Sequence, residues 1–278
     1  MRETLTRVLR SYGLTRGENA AGLLSIPSAT LKTDCDFDPD AWDRGEQHML
    51  GASGIGRVVL SRLPVMGATR LPLSDGAVPA WRAVIDLPRD LSRISLAALH
   101  AVGVRGIRVG FDAASAENLN ALLMVAGKIV PFGWHFEIRL SAGAGRALAK
   151  AEWRLMQCPV AVCFSGLGAS GRERGTADLD FVLGMVQLGR YWLKLSGQDL
   201  APPQLKLWDE PPPLARALLT TRKDRLIWGS GRTLAGDGAM QIAAGLALLE
   251  KCLPHPGDQE QVLIDNPARL YDFGDDRS

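Results

Sequence analysis

The sequence has few cysteines and no long apolar run. Its 278 residues include four cysteines, which are spaced neither as a CxxC metal motif nor as a dense disulfide framework. We therefore expect reduced thiols in a cytoplasmic protein. No segment reaches the ~18 apolar residues of a membrane helix, and the amphipathic residues 1–10 lack the apolar core of a signal peptide. We expect neither secretion nor membrane insertion.

The sequence also has almost no net charge. The formal charge is +2, from 32 basic and 30 acidic residues that are interspersed along the chain. This balance supplies no bulk attraction to nucleic acid or to an anionic membrane, so we expect neither as a partner. No GxGxxG turn follows the first predicted strand, which disfavours a dinucleotide-binding doubly wound sheet without excluding it.

A regular alternation of strands and helices begins near Trp81. The apolar runs predict strands at residues 81–87, 103–111, 134–140, 159–164, 191–197 and 225–230. Between and after them, helical spacing predicts helices at 91–101, 116–130, 145–156, 178–188, 213–220, 240–252 and 267–271. This repeat is typical of a parallel sheet with crossover helices.

The alternation predicts the α/β fold class. A further short strand at residues 22–26 raises the count to seven, one fewer than a (β/α)8 barrel requires. Residues 29–80 are irregular or inserted, with a β-like piece at 57–63. We therefore predict one domain over residues 1–278, a TIM-type (β/α)8 barrel that is distorted or incomplete at its first strand. An open doubly wound sheet is the alternative fold.

Several segments resemble one known family, the amidohydrolase-related (amidohydrolase 2) hydrolases, and in particular the 2-pyrone-4,6-dicarboxylate lactonase-like branch. The segments that carry the resemblance are Gly103-Val-Arg-Gly-Ile-Arg108, Trp192-Leu-Lys-Leu-Ser-Gly197, Arg225-Leu-Ile-Trp-Gly-Ser230, Leu263-Ile-Asp-Asn-Pro-Ala-Arg-Leu-Tyr271 and, as a second-strand segment, Ile26-Pro-Ser28 followed by Thr33-Asp34. The family implies a barrel that hydrolyses lactones, esters or amides, or decarboxylates aromatic acids. Its site lies at the carboxyl ends of the strands.

The family's catalytic residues do not carry over to this sequence. A His-x-His pair is expected on the first strand, yet no histidine precedes His48, as if the chain began after that strand. The sixth strand's Asp-His is replaced by Cys163-Phe164, and Gly231 stands where the family has a water-activating Asp. Glycine has no side chain to accept a proton. We therefore predict no catalytic residue, no metal ligand and no cofactor.

Four residues are candidates for ligand binding. Arg108 matches a family arginine that binds a substrate carboxylate, although an inter-strand salt bridge explains it equally well. Ser28 matches a small polar residue near the family's site. Lys194 also matches the family's pattern, and it either faces the barrel mouth or pairs with a neighbouring carboxylate. Ser165 lies at the end of the sixth predicted strand, beside Cys163, for which a buried structural role is the alternative to a nucleophile.

One further pair hints at a metal site. His135 and Glu137 lie two apart on one predicted strand, so their side chains face the same way. A metal needs about three or four convergent ligands. The family's strand also begins Gly-Trp-His, so the resemblance implies that His135 marks the strand's entry end.

These observations leave three hypotheses for function. The first is a degenerate, non-catalytic subunit or pseudoenzyme of the family. The others are a metal-independent hydrolase of a carboxylate-bearing lactone, ester or amide, and a small-molecule binding protein. A barrel that lacks a strand exposes two sheet edges. We therefore expect a homo-oligomer, or a hetero-oligomer with a catalytic paralogue, and a small anionic ligand.

Overall fold

Eight parallel strands form one sheet, and their spatial order follows the chain. The computed structural model describes residues 30–33, 57–63, 80–88, 90–91, 94–112, 119–141, 143–165, 176–196, 220–229, 246–247 and 249–273. The strands are β1 (Thr30–Thr33), β2 (Arg57–Leu63), β3 (Ala80–Asp86), β4 (Val104–Phe111), β5 (His135–Leu140), β6 (Val162–Ser165), β7 (Tyr191–Ser196) and β8 (Leu226–Gly229). Each pairs in parallel with the next.

The strand order identifies the sheet as a barrel. A doubly wound sheet reverses its strand order at a switch point, and no reversal occurs between β1 and β8 here. The sheet curls until β1 and β8 lie against each other. In the described strands, backbone pairing runs from β1 to β8 but does not join β8 back to β1. The predicted TIM-type barrel, distorted at its first strand, is confirmed.

The strand count differs from the seven predicted. Residues 29–80, expected to be irregular or inserted, contribute both β1 and β2, and the β-like piece at 57–63 is confirmed as β2. β1 therefore occupies the first-strand position, which the sequence analysis placed before the chain begins. Since β2 is the second strand, the match of residues 26–28 to a second-strand segment is wrong. The strand predicted at 22–26 lies outside the described residues.

Helices lie between successive strands from β3 to β7, and further helices follow the last strand. They are α1 (Leu96–Ala101), α2 (Leu119–Ile129), α3 (Ala144–Ala149), α4 (Glu152–Met156), α5 (Thr176–Gln187), α6 (Pro256–Glu260) and α7 (Asn266–Tyr271). Single-turn 3-10 helices cover Val130–Phe132 and Lys223–Arg225, a π turn covers Gln261–Asp265, and residues 246–247 and 249–252 are also helical. The helix predicted at 145–156 is broken into α3 and α4. None of the described helices has the length and apolarity to cross a bilayer.

Two apolar layers hold the barrel together. The larger layer lies between the sheet and the helices and includes Ile107, Phe136 and Trp228. The smaller layer fills the barrel interior and consists of Val59, Val84, Cys163, Trp192, Ile227, Leu270 and Tyr271. Because successive strand residues face opposite sides, this division fixes which side chains point inward.

Candidate functional site

Four polar side chains come together inside the carboxyl-terminal half of the barrel. Arg108 on β4 is paired in register with Glu137 on β5, so both face the interior. Ser165 on β6 and Lys194 on β7 reach the same point from the next two strands. All four are almost fully buried. The carboxyl end of a (β/α)8 barrel is where active sites of this fold lie.

Glu137 is the centre of this cluster, and three groups approach the same oxygen. Lys194 Nζ donates to Glu137 Oε1 at 3.1 Å, and Ser165 Oγ donates to it at 3.4 Å. Arg108 Nε lies 3.9 Å from that oxygen, at the limit of an ion pair. Glu137 is 0% exposed, Lys194 2% and Arg108 8%. Buried charges are tolerated only when they are paired in this way.

The structure places three of the four predicted ligand-binding residues together. Arg108 and Lys194 both form ion pairs with a barrel carboxylate, Glu137, which is one of the two alternatives that the sequence left open for each of them. Ser165 joins them through Glu137. Ser28 lies outside the described residues.

Sequence reasoning missed the residue that connects the others. Glu137 entered only as half of a weak metal pair. Its hydrogen-bond partners, Ser165 and Lys194, lie 28 and 57 residues away in sequence, and only the strand register brings them to it. Alternation along β5 also directs Arg139, which is exposed, toward the mouth above Glu137. On β3, the exposed Asp86 is in register with Arg108.

The described charges that face the mouth are not balanced. They comprise three cations, Arg108, Arg139 and Lys194, and two carboxylates, Asp86 and Glu137, so that three minus two leaves one positive charge. A guanidinium is well suited to holding a carboxylate through two parallel hydrogen bonds. The arrangement can therefore attract and orient a small anion.

A buried hydroxyl also lies inside the barrel. Ser61, on β2, is 0% exposed and in register with the interior residue Val84. Its Oγ has no hydrogen-bond partner among the described residues. A buried polar group without a partner is rare in native proteins and often marks a place for a ligand or water. The β-like run at 57–63 is visible in the sequence, but the lack of a partner for Ser61 is not.

His135 belongs to the opposite end of the barrel. It is the first residue of β5, and its ring packs edge-on against Tyr271 of α7, with centroids 5.1 Å apart. Its close neighbour is Gly106, where an added Cβ would lie 2.7 Å from the imidazole. The prediction that His135 marks the entry end of the strand is confirmed.

The end of the chain closes this amino-terminal mouth. Arg82 Nε and Nη2 donate to the carbonyl oxygen of Asp272 at 3.2 and 2.8 Å, and Arg105 Nε donates to the Asp272 carboxylate at 3.1 Å. The Phe273 ring lies under the guanidinium groups of Arg57 and Arg82. Burial, and next the nearby Arg105, lower the pKa of Arg82. These contacts assign the amino-terminal arginines to structure.

Cys163 has the structural setting expected of it. The thiol is 0% exposed and packs in the interior layer with Val59, Val84 and Trp192. Its Sγ lies 3.8 Å from the carbonyl oxygen of Phe164. In the part of the chain that the structure describes, no group of three His, Cys, Asp or Glu side chains is arranged to hold a metal.

The position of β1 changes which residues follow the first strand. β1 ends at Thr33, and the next residues in sequence are Asp34-Cys-Asp-Phe-Asp38. In a barrel, the residues after a strand's carboxyl end are those nearest the site. This segment holds three carboxylates and no histidine, and it lies outside the described residues.

Comparison with known proteins decides the family. An amidohydrolase family model matches residues 73–273, which is more than half of the chain. The chain belongs to the amidohydrolase family. The resemblance to its 2-pyrone-4,6-dicarboxylate lactonase-like branch is also confirmed, since 246 residues are 25% identical to a 2-pyrone-4,6-dicarboxylate hydrolase of Comamonas testosteroni, covering 78% of this chain and 76% of that protein.

Another sequence relative is the 4-sulfomuconolactone hydrolase of Hydrogenophaga intermedia. The two share 25% identity over 203 residues, which cover 68% of this chain and 64% of that enzyme. This amidohydrolase-family chain thus spans less than two thirds of the length of that relative.

Solved structures confirm the fold. A probable 2-pyrone-4,6-dicarboxylic acid hydrolase of Acinetobacter baumannii, solved with citric acid bound, superposes with a TM-score of 0.61 at 14% identity, over 88% of this chain and 100% of that one. A TatD homologue of Escherichia coli also gives 0.61, at 16% identity, over 90% of this chain and 99% of that one.

Proposed function

We propose that this amidohydrolase-family barrel binds a small carboxylate at its carboxyl-terminal mouth and does not hydrolyse it. The observation that carries the proposal is the buried cluster of Arg108, Glu137 and Lys194, in which two cations share one carboxylate. An incoming carboxylate compensates the remaining positive charge and can use the fork of Arg108. The protein is then a pseudoenzyme that retains an anion site.

The chemistry of the described strand ends supports the proposed lack of hydrolysis. Activating water needs a base that can take its proton. Glu137 Oε1 is engaged by Lys194 and approached by Arg108, so it already serves as their counter-ion. Cys163 lies in the apolar interior layer, and none of the described strands ends in histidine. These features support binding rather than turnover.

The names of the relatives support an anion as the ligand. The relatives are described as hydrolases of 2-pyrone-4,6-dicarboxylate and of 4-sulfomuconolactone, both anionic lactones, and one structural relative was solved with citric acid. We infer that the chain accepts an anion of similar size. Citrate and 2-pyrone-4,6-dicarboxylate are therefore suitable probes.

We also propose that the protein acts within an oligomer, either with itself or with a catalytic paralogue, in the cytoplasm. In the described strands β8 and β1 touch without a backbone ladder, so this seam is where another segment or chain would supply the missing backbone pairing. Cys158, Cys163 and Cys252 are free thiols, which suits a reducing compartment. Light scattering after size-exclusion chromatography tests assembly, and a stable monomer would count against it.

A second candidate is a hydrolase that uses a different base. The observation in its favour is the run of three aspartates, Asp34, Asp36 and Asp38, directly after β1 in the sequence. A carboxylate at the end of a barrel strand is a usual position for a general base. This hypothesis predicts turnover that is lost in an Asp36→Asn/Asp38→Asn double variant.

Isothermal titration calorimetry tests the proposal. Citrate and 2-pyrone-4,6-dicarboxylate are titrated into the wild type, Arg108→Gln and the control Arg154→Gln, which changes an arginine on the outer helix α4. We expect saturable binding by the wild type and the control, weakened at least about tenfold in Arg108→Gln because a charge-assisted contact is lost. Equal affinity in all three proteins would refute a role for this cluster. Circular dichroism confirms that each variant is folded.

A further inference from the structure

Glu137 supplies a negative charge at the point where an anionic ligand needs positive charge. Its Oε1 lies 3.1 Å from Lys194 Nζ and 3.9 Å from Arg108 Nε. A ligand carboxylate that approaches Arg108 therefore meets a cation whose field is partly cancelled by an internal carboxylate. Like charges at such short range oppose binding, and strongly so in a buried site.

We propose that Glu137 is an internal competitor that limits how much negative charge the mouth accepts. This inference rests on the proposed function and adds the residue that sets its charge selectivity. With Glu137 ionised, Arg108, Lys194 and Glu137 together carry one positive charge, two cations less one carboxylate. A single carboxylate balances that charge. A second carboxylate on the same ligand exceeds that charge, since Arg139 at the mouth is offset by Asp86, so singly charged ligands gain relative to doubly charged ones.

A purely structural role for Glu137 makes the opposite prediction. On that account the carboxylate only neutralises and positions Lys194 and Arg108, since an unpaired buried cation is costly. Removal of its charge would then disorder both cations and weaken binding of every anion. In the competitor role, removal of the charge increases the positive potential that the ligand meets at the two cations and strengthens binding. The sign of the change in affinity separates the two roles.

The experiment compares benzoate with isophthalate, which have similar rings and carry one and two carboxylates. Calorimetric titrations use the wild type, Glu137→Gln and the control Glu152→Gln, which makes the same chemical change on the outer helix α4. Glutamine keeps the shape of glutamate and can still accept from Lys194. We expect Glu137→Gln to bind isophthalate on the order of tenfold more tightly, with a smaller gain for benzoate, because the doubly charged ligand meets the larger repulsion. Glu152→Gln should stay within about twofold of the wild type, because surface charges are well screened.

A second variant keeps the test decisive if Glu137→Gln is poorly folded. Glu137→Gln/Lys194→Met removes one charge of each sign, so the net charge of the cluster is unchanged. The competitor role predicts affinity for both probes within about threefold of the wild type, since net charge governs anion binding. The structural role predicts a large loss, because Arg108 is left without its support.

The outcomes separate this inference from the proposed function. If the wild type binds neither probe, the anion site itself is wrong and both proposals fail. If the wild type binds but folded Glu137→Gln binds unchanged or more weakly, the proposed function stands and the competitor role is overturned. If Glu137→Gln binds isophthalate more tightly than the wild type does and the control Glu152→Gln does not, both proposals are supported.

Discussion

Two serines in this barrel differ in whether their hydroxyl groups have hydrogen-bond partners. Ser61 and Ser95 are both serines with one hydroxyl, but their hydroxyls have opposite roles. Ser61 Oγ is buried and has no partner among the described residues, whereas Ser95 Oγ accepts from the backbone N–H of Ala98 at 3.2 Å and so caps α1. The same substitution should therefore change stability in opposite directions.

We predict that Ser61→Ala leaves the free energy of unfolding unchanged or raises it by up to about 1 kcal/mol, because a buried hydroxyl without a partner is removed. Ser95→Ala, the matched control, should lower it by roughly 1 kcal/mol, because a helix cap is lost. Urea unfolding in ligand-free buffer measures both. A loss of stability in Ser61→Ala equal to that in Ser95→Ala would show that Ser61 is satisfied in the folded protein.

His100 should make stability depend on pH. Trp134 Nε1 donates to His100 Nδ1 at 3.1 Å, which requires that nitrogen to be unprotonated. Burial, and next the nearby Arg105, lower the pKa of His100. The unfolded chain therefore takes up a proton at higher pH than the folded one, so the stabilising effect is complete above about 6.5, the unperturbed value. It is lost as the pH falls toward the lowered folded pKa.

The measurement compares urea unfolding of the wild type and His100→Asn between pH 7.5 and pH 5. Asparagine can still accept the Trp134 hydrogen bond but does not titrate. We expect the wild type to lose stability relative to the variant as pH falls below about 6.5. Parallel curves over that range would show that His100 does not contribute.

At the level of secondary structure, one carboxylate connects two helices. Asp178, in the first turn of α5, is buried and accepts hydrogen bonds from the backbone N–H groups of Gly143 and Gly145 at 2.6 and 2.7 Å. These groups lie at the start of α3, where backbone donors lack partners within the helix. Gly145 also permits the close approach, because an added Cβ would lie 2.5 Å from the Cα of Asp178.

We predict that Asp178→Ala destabilises the protein by roughly 2–3 kcal/mol, because two charge-assisted hydrogen bonds are lost and the buried N–H of Gly145 is left unpaired. Asp180→Asn is the control, since Asp180 is exposed on the same helix and should stay within about 0.5 kcal/mol. Chemical unfolding followed by circular dichroism measures both. If the two variants were equally stable, Asp178 would not be the cap that joins these helices.

Sequence alone predicts those strands whose apolar pattern is strong. β3 to β8 are runs of branched and aromatic residues bounded by glycine or polar residues, so their positions are predictable to within a few residues. β1 is only four residues long, with one apolar side chain among Thr30–Thr33, and it carries no such pattern. The site is partly predictable, because Arg108 and Lys194 lie on strands that the apolar pattern predicts. Their common partner Glu137 depends on strand register, which the sequence does not specify.

For the whole molecule, the two mouths of the barrel have different roles. The amino-terminal mouth is closed by Asp272 and Phe273, held by Arg57, Arg82 and Arg105. The carboxyl-terminal mouth has buried cations around Glu137. The contacts at the first mouth support the fold, and the second mouth is where we propose that a ligand binds.

We predict that deletion of residues 272–278 lowers the melting temperature by at least about 4 °C, because the arginines of the amino-terminal mouth lose their partners. Deletion of residues 275–278 is the control and should leave the melting temperature unchanged, since it keeps Asp272 and Phe273. Differential scanning calorimetry compares the two. Equal melting temperatures would show that the contacts at the amino-terminal mouth do not stabilise the barrel.

The central claim is that an anion binds at the carboxyl-terminal mouth and is released unchanged. A proton NMR time course of a carboxylate-bearing aromatic lactone mixed with the wild-type protein tests both parts at once. We predict that the lactone resonances broaden with the wild type and stay narrow with Arg108→Gln. We also predict that product forms no faster than in buffer. Product that accumulates with the wild type and disappears when a residue at the mouth is replaced would contradict the account.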